Sequence, residues 1–235
     1  MKKCFISEEE EHQKEVNDQI NIQIRKEKKE SRHRLELKCV LLGTPGSGKS
    51  TFLKQMKILD GGGYSHEERT TFTGEVYRNV FQGMQTLILA MGALNIEFSA
   101  PEICSPLAAL LIDVDVVTTV LNVEHADAIR TLWADRGLQE AWRRRNEIPN
   151  LQDTVNYFFE HIERIGSVEY TPSEEDILRV YTPSDGGVTE FTLEMGLILF
   201  RFIEVSSQLC DAVNWMSYFD DEVPFIFFVP LNFFN

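Results

Sequence analysis

Basic residues are scarce in this chain. Over 235 residues, 23 Lys and Arg stand against 37 Asp and Glu, a formal net charge of -14. So acidic a chain is a poor candidate for general nucleic-acid binding, because phosphate neutralisation needs a basic surface. Long apolar runs are missing too: no stretch of 18 or more apolar residues occurs, so no transmembrane helix is expected. Cysteine is sparse. Cys4, Cys39, Cys104 and Cys210 are scattered without a C-x-x-C pair, which gives no zinc signature and fits a reducing compartment. His12, His33, His66, His125 and His161 show no ligand spacing and read as surface histidines. The basic start is followed by an apolar run too short for a signal peptide, and Lys2 in place of glycine excludes N-myristoylation. What is present is ordinary for a folded protein, with 43% hydrophobic and 26% charged residues, and the length suits one or two domains.

Four segments follow from the pattern: 1–34, 35–62, 63–180 and 181–235. Cys4, beside two lysines and two apolar residues, is a candidate for reversible palmitoylation; the alternative is a free thiol on a frayed terminus. Residues 7–34 are polar, acidic first and basic last, an order that complements a helix dipole. Ser7 and Glu10 match a capping box, and Val16, Ile20 and Ile24 make one narrow apolar stripe. That stripe suits a helix docked on a partner or a membrane surface; the alternative is a solvated arm. Residues 35–42 read as a strand entering a buried sheet, 43–50 as a glycine-rich turn and 51–59 as a helix. Helical signals then dominate to about residue 180: Ser65 caps one helix, and 124–146 and 151–165 read as two more. A short helix opens after Pro172, while Pro101 and Pro106 mark loops. Strands are expected at 189–193, 197–205 and 224–231. The fold class is therefore α/β, with an incomplete sheet interrupted by an all-helical insert.

The strongest chemical signal is Gly43-Thr44-Pro45-Gly46-Ser47-Gly48-Lys49-Ser50, which satisfies G-x-x-x-x-G-K-[ST] between a strand and a helix. Glycines let successive backbone N–H groups wrap phosphate oxygens, and the following helix adds its positive end. Lys49 supplies charge to the β- and γ-phosphates, and the Ser50 hydroxyl is a hard oxygen suited to Mg²⁺. A phosphate loop specifies a nucleoside triphosphate without specifying base or hydrolysis. An unrelated phosphate-loop kinase for a small metabolite fits this loop equally well, but explains neither a helical insertion nor Gln208.

The chain resembles the α subunit of heterotrimeric G proteins. The resemblance is carried by residues 49–58 (KSTFLKQMKI), by Gly63-Tyr64-Ser65, Val76-Tyr77-Arg78-Asn79, Ile129-Arg130-Thr131-Leu132-Trp133 and Asp176-Ile177-Leu178-Arg179-Val180. It extends to about Leu231, and the first hundred residues look most like the Gq class, whose members are palmitoylated near the terminus. The resemblance implies a Ras-like GTPase domain with an inserted helical domain, bound GTP or GDP, and Mg²⁺. It also implies Gβγ as partner of the N-terminal helix, a G-protein-coupled receptor, an effector, and a peripheral place on the cytoplasmic face of the plasma membrane. By position, Gly46, Ser47, Gly48, Lys49, Ser50 and Thr51 would hold the phosphates. Asp153 with Thr154, and Leu178 with Arg179, match two nucleotide-contacting pairs. Ser50 and Ser184 match the Mg²⁺ ligands, and Gln208 matches the glutamine that orients the attacking water.

Departures from the family pattern bear on hydrolysis. Tyr181 stands where the family supplies an arginine in cis, worth 10³–10⁵ in rate in such enzymes. Glu204 replaces the aspartate that holds the metal's water, and Ser207 replaces a glycine whose N–H meets the γ-phosphate. The family continues for about another small domain, including its guanine-reading motif and receptor-binding helix, neither of which occurs by Asn235. An open apolar sheet edge is expected there. The leading reading is a signalling GTPase subunit with impaired hydrolysis; the alternative is a non-catalytic chain that sequesters Gβγ.

Overall fold

The computed structural model describes residues 35–44, 46–60, 62–182, 188–205 and 223–230. Cys4, the segment 7–34, Ser184, Ser207, Gln208 and residues 209–215 lie outside the described residues. The described residues fall into two compact units, one within Met1–Ser47 plus Gly187–Asn235 and one within Gly48–Gly186.

The first unit is a four-stranded sheet. Its strands are β1 (Leu35–Gly43), β2 (Val188–Met195), β3 (Ile198–Val205) and β4 (Phe225–Phe228), in the order β2-β3-β1-β4. β1 runs parallel to β3, from Leu35 opposite Ile198 to Leu41 opposite Glu204, and parallel to β4, ending with Gly43 opposite Phe228. β2 and β3 form an antiparallel hairpin around Gly196, whose φ of 60° is left-handed and suits glycine. The strand expected at 35–42 is therefore present, but it enters burial only from its middle: residues 35–38 are exposed, while Val40 and Leu41 are buried. Arg201 ties three strands by pairing with Glu36 at 2.9 Å and Glu190 at 3.6 Å.

All regular structure described in the second unit is helical. It comprises α1 (Lys49–Asp60), α2 (His66–Thr71), α3 (Thr73–Ala93), α4 (Pro101–Ile112), α5 (Val123–Trp133) and α6 (Arg136–Arg143). A 3₁₀ turn (Arg145–Glu147) follows, then α7 (Val155–Glu160), α8 (Ile162–Ile165) and α9 (Glu174–Arg179). The apolar period beginning at Val76 makes α3 the central helix, with Val76, Val80, Met84, Leu87 and Met91 buried. Around it pack Leu111, Ile129, Leu132, Leu138, Phe158, Phe159, Ile162 and Ile165. Trp133 and Trp142 lie against this core, 5.9 Å apart and edge to face.

Three sequence expectations are corrected here. Pro101 and Pro106 do not mark loops; both belong to α4. Pro101 occupies the first helical turn, where a missing N–H costs nothing, and burial of Cys104, Ala108 and Leu111 holds the helix through Pro106. Segment 124–146 is not one helix. Asp135 ends it and starts the next by accepting hydrogen bonds from the N–H groups of Gly137 and Leu138 at 2.8 and 3.2 Å. Its other oxygen accepts from the N–H groups of Ser99 and Ala100 and from the Ser99 hydroxyl. Segment 151–165 is also divided, at His161, whose Nδ1 lies 2.8 Å from the Tyr157 carbonyl of the preceding turn.

Candidate functional site

β1, β3 and β4 are parallel, so their carboxyl ends open at one edge of the sheet, where ligand sites of open α/β sheets form. The glycine-rich loop leaves the sheet from that edge. Gly43, with φ 148°, sits so close to its neighbours that a Cβ would lie 2.6 Å from the Phe228 carbonyl and 2.7 Å from the Ser47 hydroxyl. Gly46 and Gly48 have φ of 72° and 96°, and a Cβ on either would meet nothing within 4 Å. The glycines there serve backbone direction and leave open space beside the amides. The loop is closed by a hydrogen bond from the Ser47 N–H to the Thr44 carbonyl at 3.2 Å.

α1 begins at Lys49, two residues earlier than the sequence reading placed it. Although the chain is strongly acidic, its first turn carries no acidic residue. An anion at this helix end would meet backbone N–H groups and the positive pole of the helix dipole, with no acidic side chain in that turn. Lys49, the first residue of α1, is 6% exposed. Among the described residues the buried Ser47 hydroxyl has no hydrogen-bond partner, an orphaned polar atom within the loop. The residues present thus fit a phosphate chain. Ser50, the second residue of α1 and exposed, offers a hard oxygen that fits Mg²⁺.

Within the helical unit, the two residue pairs expected to contact nucleotide stand together. The Thr154 hydroxyl donates to the Arg179 carbonyl at 3.1 Å. Asp153 is exposed and pairs with Arg145 at 3.4 Å. Arg179 lays its guanidinium over the Tyr157 ring at 4.2 Å and pairs with Glu175 at 3.0 Å. Leu178 is half-buried beside it. Glu204 belongs to the sheet unit, opposite Leu41 near the carboxyl end of β3.

The chain immediately after α9 is pinned at each step. Thr154 holds the carbonyl of Arg179. Lys54, from the helix that follows the loop, donates to the carbonyl of Val180 at 2.8 Å. Asn79 of α3 takes both backbone groups of Tyr181, accepting from its N–H and donating to its carbonyl, each at 2.8 Å. Neither Asn79 nor Lys54 stood out as a functional residue in the sequence. The signal was a polar residue, Asn79, inside the apolar period of α3; it is 6% exposed and therefore needed a partner.

Behind this segment lies Asp176, fully buried. It receives both arms of the Arg164 guanidinium at 2.7 and 2.8 Å, the hydroxyls of Tyr157 and Tyr170 at 2.9 and 3.0 Å, and the Ser173 N–H at 2.8 Å. Burial pushes its carboxyl pKa up, but the bonds from Arg164, Ser173 and Tyr157 outweigh that and hold it well below the usual carboxylate range. Burial raises the Tyr170 hydroxyl, and the Asp176 charge raises it further. No group of three or more His, Cys, Asp or Glu suited to a metal occurs among the described residues.

Residues 14–235 match the family model described as G-protein alpha subunit.

Proposed function

The chain belongs to the G-protein alpha subunit family, and from that premise we propose a Gq-like signalling subunit whose GTP hydrolysis is impaired. The family binds GTP and GDP with Mg²⁺, hydrolyses GTP and transduces signals through Gβγ, receptors and effectors. In the proposed site, the amides of residues 46–51 and Lys49 hold the phosphates, with Ser50 and Ser184 as metal ligands. Mg²⁺, when bound, would supply charge neutralisation between the β- and γ-phosphates. Asp153, Thr154, Leu178 and Arg179 would approach the nucleotide from a helical domain inserted into a Ras-like domain. Gln208 would orient the water, with Glu204 and Ser207 in the same switch.

The observation that carries this reading is the phosphate loop itself: left-handed Gly46 and Gly48 ahead of a helix with no acidic residue in its first turn and a buried lysine at its start. Impairment rests on Tyr181. A phenol cannot neutralise charge developing on the γ-phosphoryl group, and the cis arginine it replaces is worth 10³–10⁵ in rate in such enzymes. Palmitoylation at Cys4, docking of residues 7–34 on Gβγ and a peripheral place on the plasma membrane complete the proposal, with receptor coupling. Single-turnover hydrolysis of γ-labelled GTP tests it. The expected rate is at least about a thousandfold below that of a family member with the arginine, and a comparable rate would contradict it.

A further inference from the structure

A surface helix normally turns polar residues outward. α4 does not. Cys104, Ala108 and Leu111 face the core, while Ile103, Pro106 and Leu110 are exposed and Leu107 is half-buried. Ile103, Pro106 and Leu110 fall at helical spacing and share one exposed side of the helix, while Leu107 among them also packs against the core. Ile103 is 59% and Leu110 38% exposed. The connection to α5 continues the pattern, with Val117 and Val120 both more than two-thirds exposed.

The charged residues on this helix and in the connection that follows it, Glu102, Asp113 and Asp115, are all acidic. No Lys or Arg occurs between Arg78 and Arg130. Glu97, Glu102, Asp113, Asp115 and Glu124 are all exposed, and among the described residues no cationic group pairs with any of them. The helix is also fixed at both ends. Gln85 donates through Nε2 to the carbonyls of Leu111 and Val114 at 2.9 Å each, and Asp135 holds the N–H groups of Ser99 and Ala100.

We infer that the outer face of α4 is a docking surface for an amphipathic helix of a partner protein whose apolar stripe is bordered by lysine and arginine. An apolar row on a helix whose own and following charges are acidic is complementary to that ligand. Anionic lipid would meet like charge. A second copy, docking the same patch on itself about a two-fold axis, would bring the carboxylates face to face. A preformed, anchored helix loses little freedom on binding, so the contact is not offset by ordering. This inference is independent of nucleotide and of the phosphate loop.

The test uses the full chain and two fluorescein-labelled helical peptides of equal apolar content, one leucine–lysine and one leucine–glutamate. Fluorescence anisotropy is expected to show binding of the lysine peptide alone, weakened at least about tenfold by the double variant Ile103→Asp, Leu110→Asp. Val168→Asp, at a residue 96% exposed in the same unit, is expected to leave binding unchanged. Circular dichroism checks that all variants fold. Equal binding by the double variant, equal binding of both peptides, or no binding would overturn the inference. So would self-association, or attachment to phosphatidylserine vesicles, that the double variant abolishes.

Discussion

A carboxylate with no exposed surface, Asp176, holds together α9, α8 and the loop that carries Tyr170. Replacing it by alanine leaves the Arg164 guanidinium and two tyrosine hydroxyls without their acceptor, at a cost of about 3–5 kcal/mol. Urea titration of the variant measures that loss. Because the folded pKa is depressed, the stabilisation is fully present above the unfolded value of about 4 and fades as pH falls through the folded value. Asp135, whose burial is outweighed by bonds from Ser99, Leu138, Gly137 and Ala100, acts in the same direction. Thermal midpoints are therefore expected to fall steeply between pH 5 and pH 2, about the range over which such carboxylates protonate. Asp176→Asn should flatten that slope, and an unchanged slope would mean that other groups govern acid unfolding. Asn79 presents a second residue-scale case. Asn79→Ala removes both partners of the Tyr181 backbone, so faster hydrogen exchange is expected at residues 179–182 while α3 itself stays protected.

At the scale of elements, the conformations of single glycines and prolines carry the consequences. Gly46→Ala and Gly48→Ala force a Cβ into left-handed backbone at about 1–2 kcal/mol each, although neither meets a steric neighbour. Both are expected to weaken triphosphate binding more than they lower the thermal midpoint, as calorimetry and melting of the same samples would show. Pro106→Ala restores a helical N–H and is expected to raise the thermal midpoint. Most element types were legible from the sequence because their signals were local. The phosphate loop has its own spacing, Ser65 and Ser173 form the capping boxes expected of helix starts, and α3 follows its apolar period. What was not legible depended on distant partners. Asp135 breaks a continuous helical pattern because Ser99 and Ala100, some 35 residues earlier, help to fix its carboxylate. α4 survives two prolines because the core covers one of its faces. The pinning of residues 179–181 joins three separate helical regions, which no local pattern announces.

At the scale of the whole molecule, β4 is an edge strand among the described residues, with Phe225 68% and Phe227 61% exposed. Exposed aromatic edge strands template pairing with other chains. Sedimentation velocity is expected to show concentration-dependent association of the chain, reduced by Phe227→Lys; identical profiles would remove the edge as its cause. The central claim concerns the loop between β1 and α1. Isothermal calorimetry of the purified chain with GTP and Mg²⁺, run beside Lys49→Ala, tests it most directly. Saturable heat for the parent chain and none for the variant is the expected result. No heat from either protein, or the same heat from both, would contradict it.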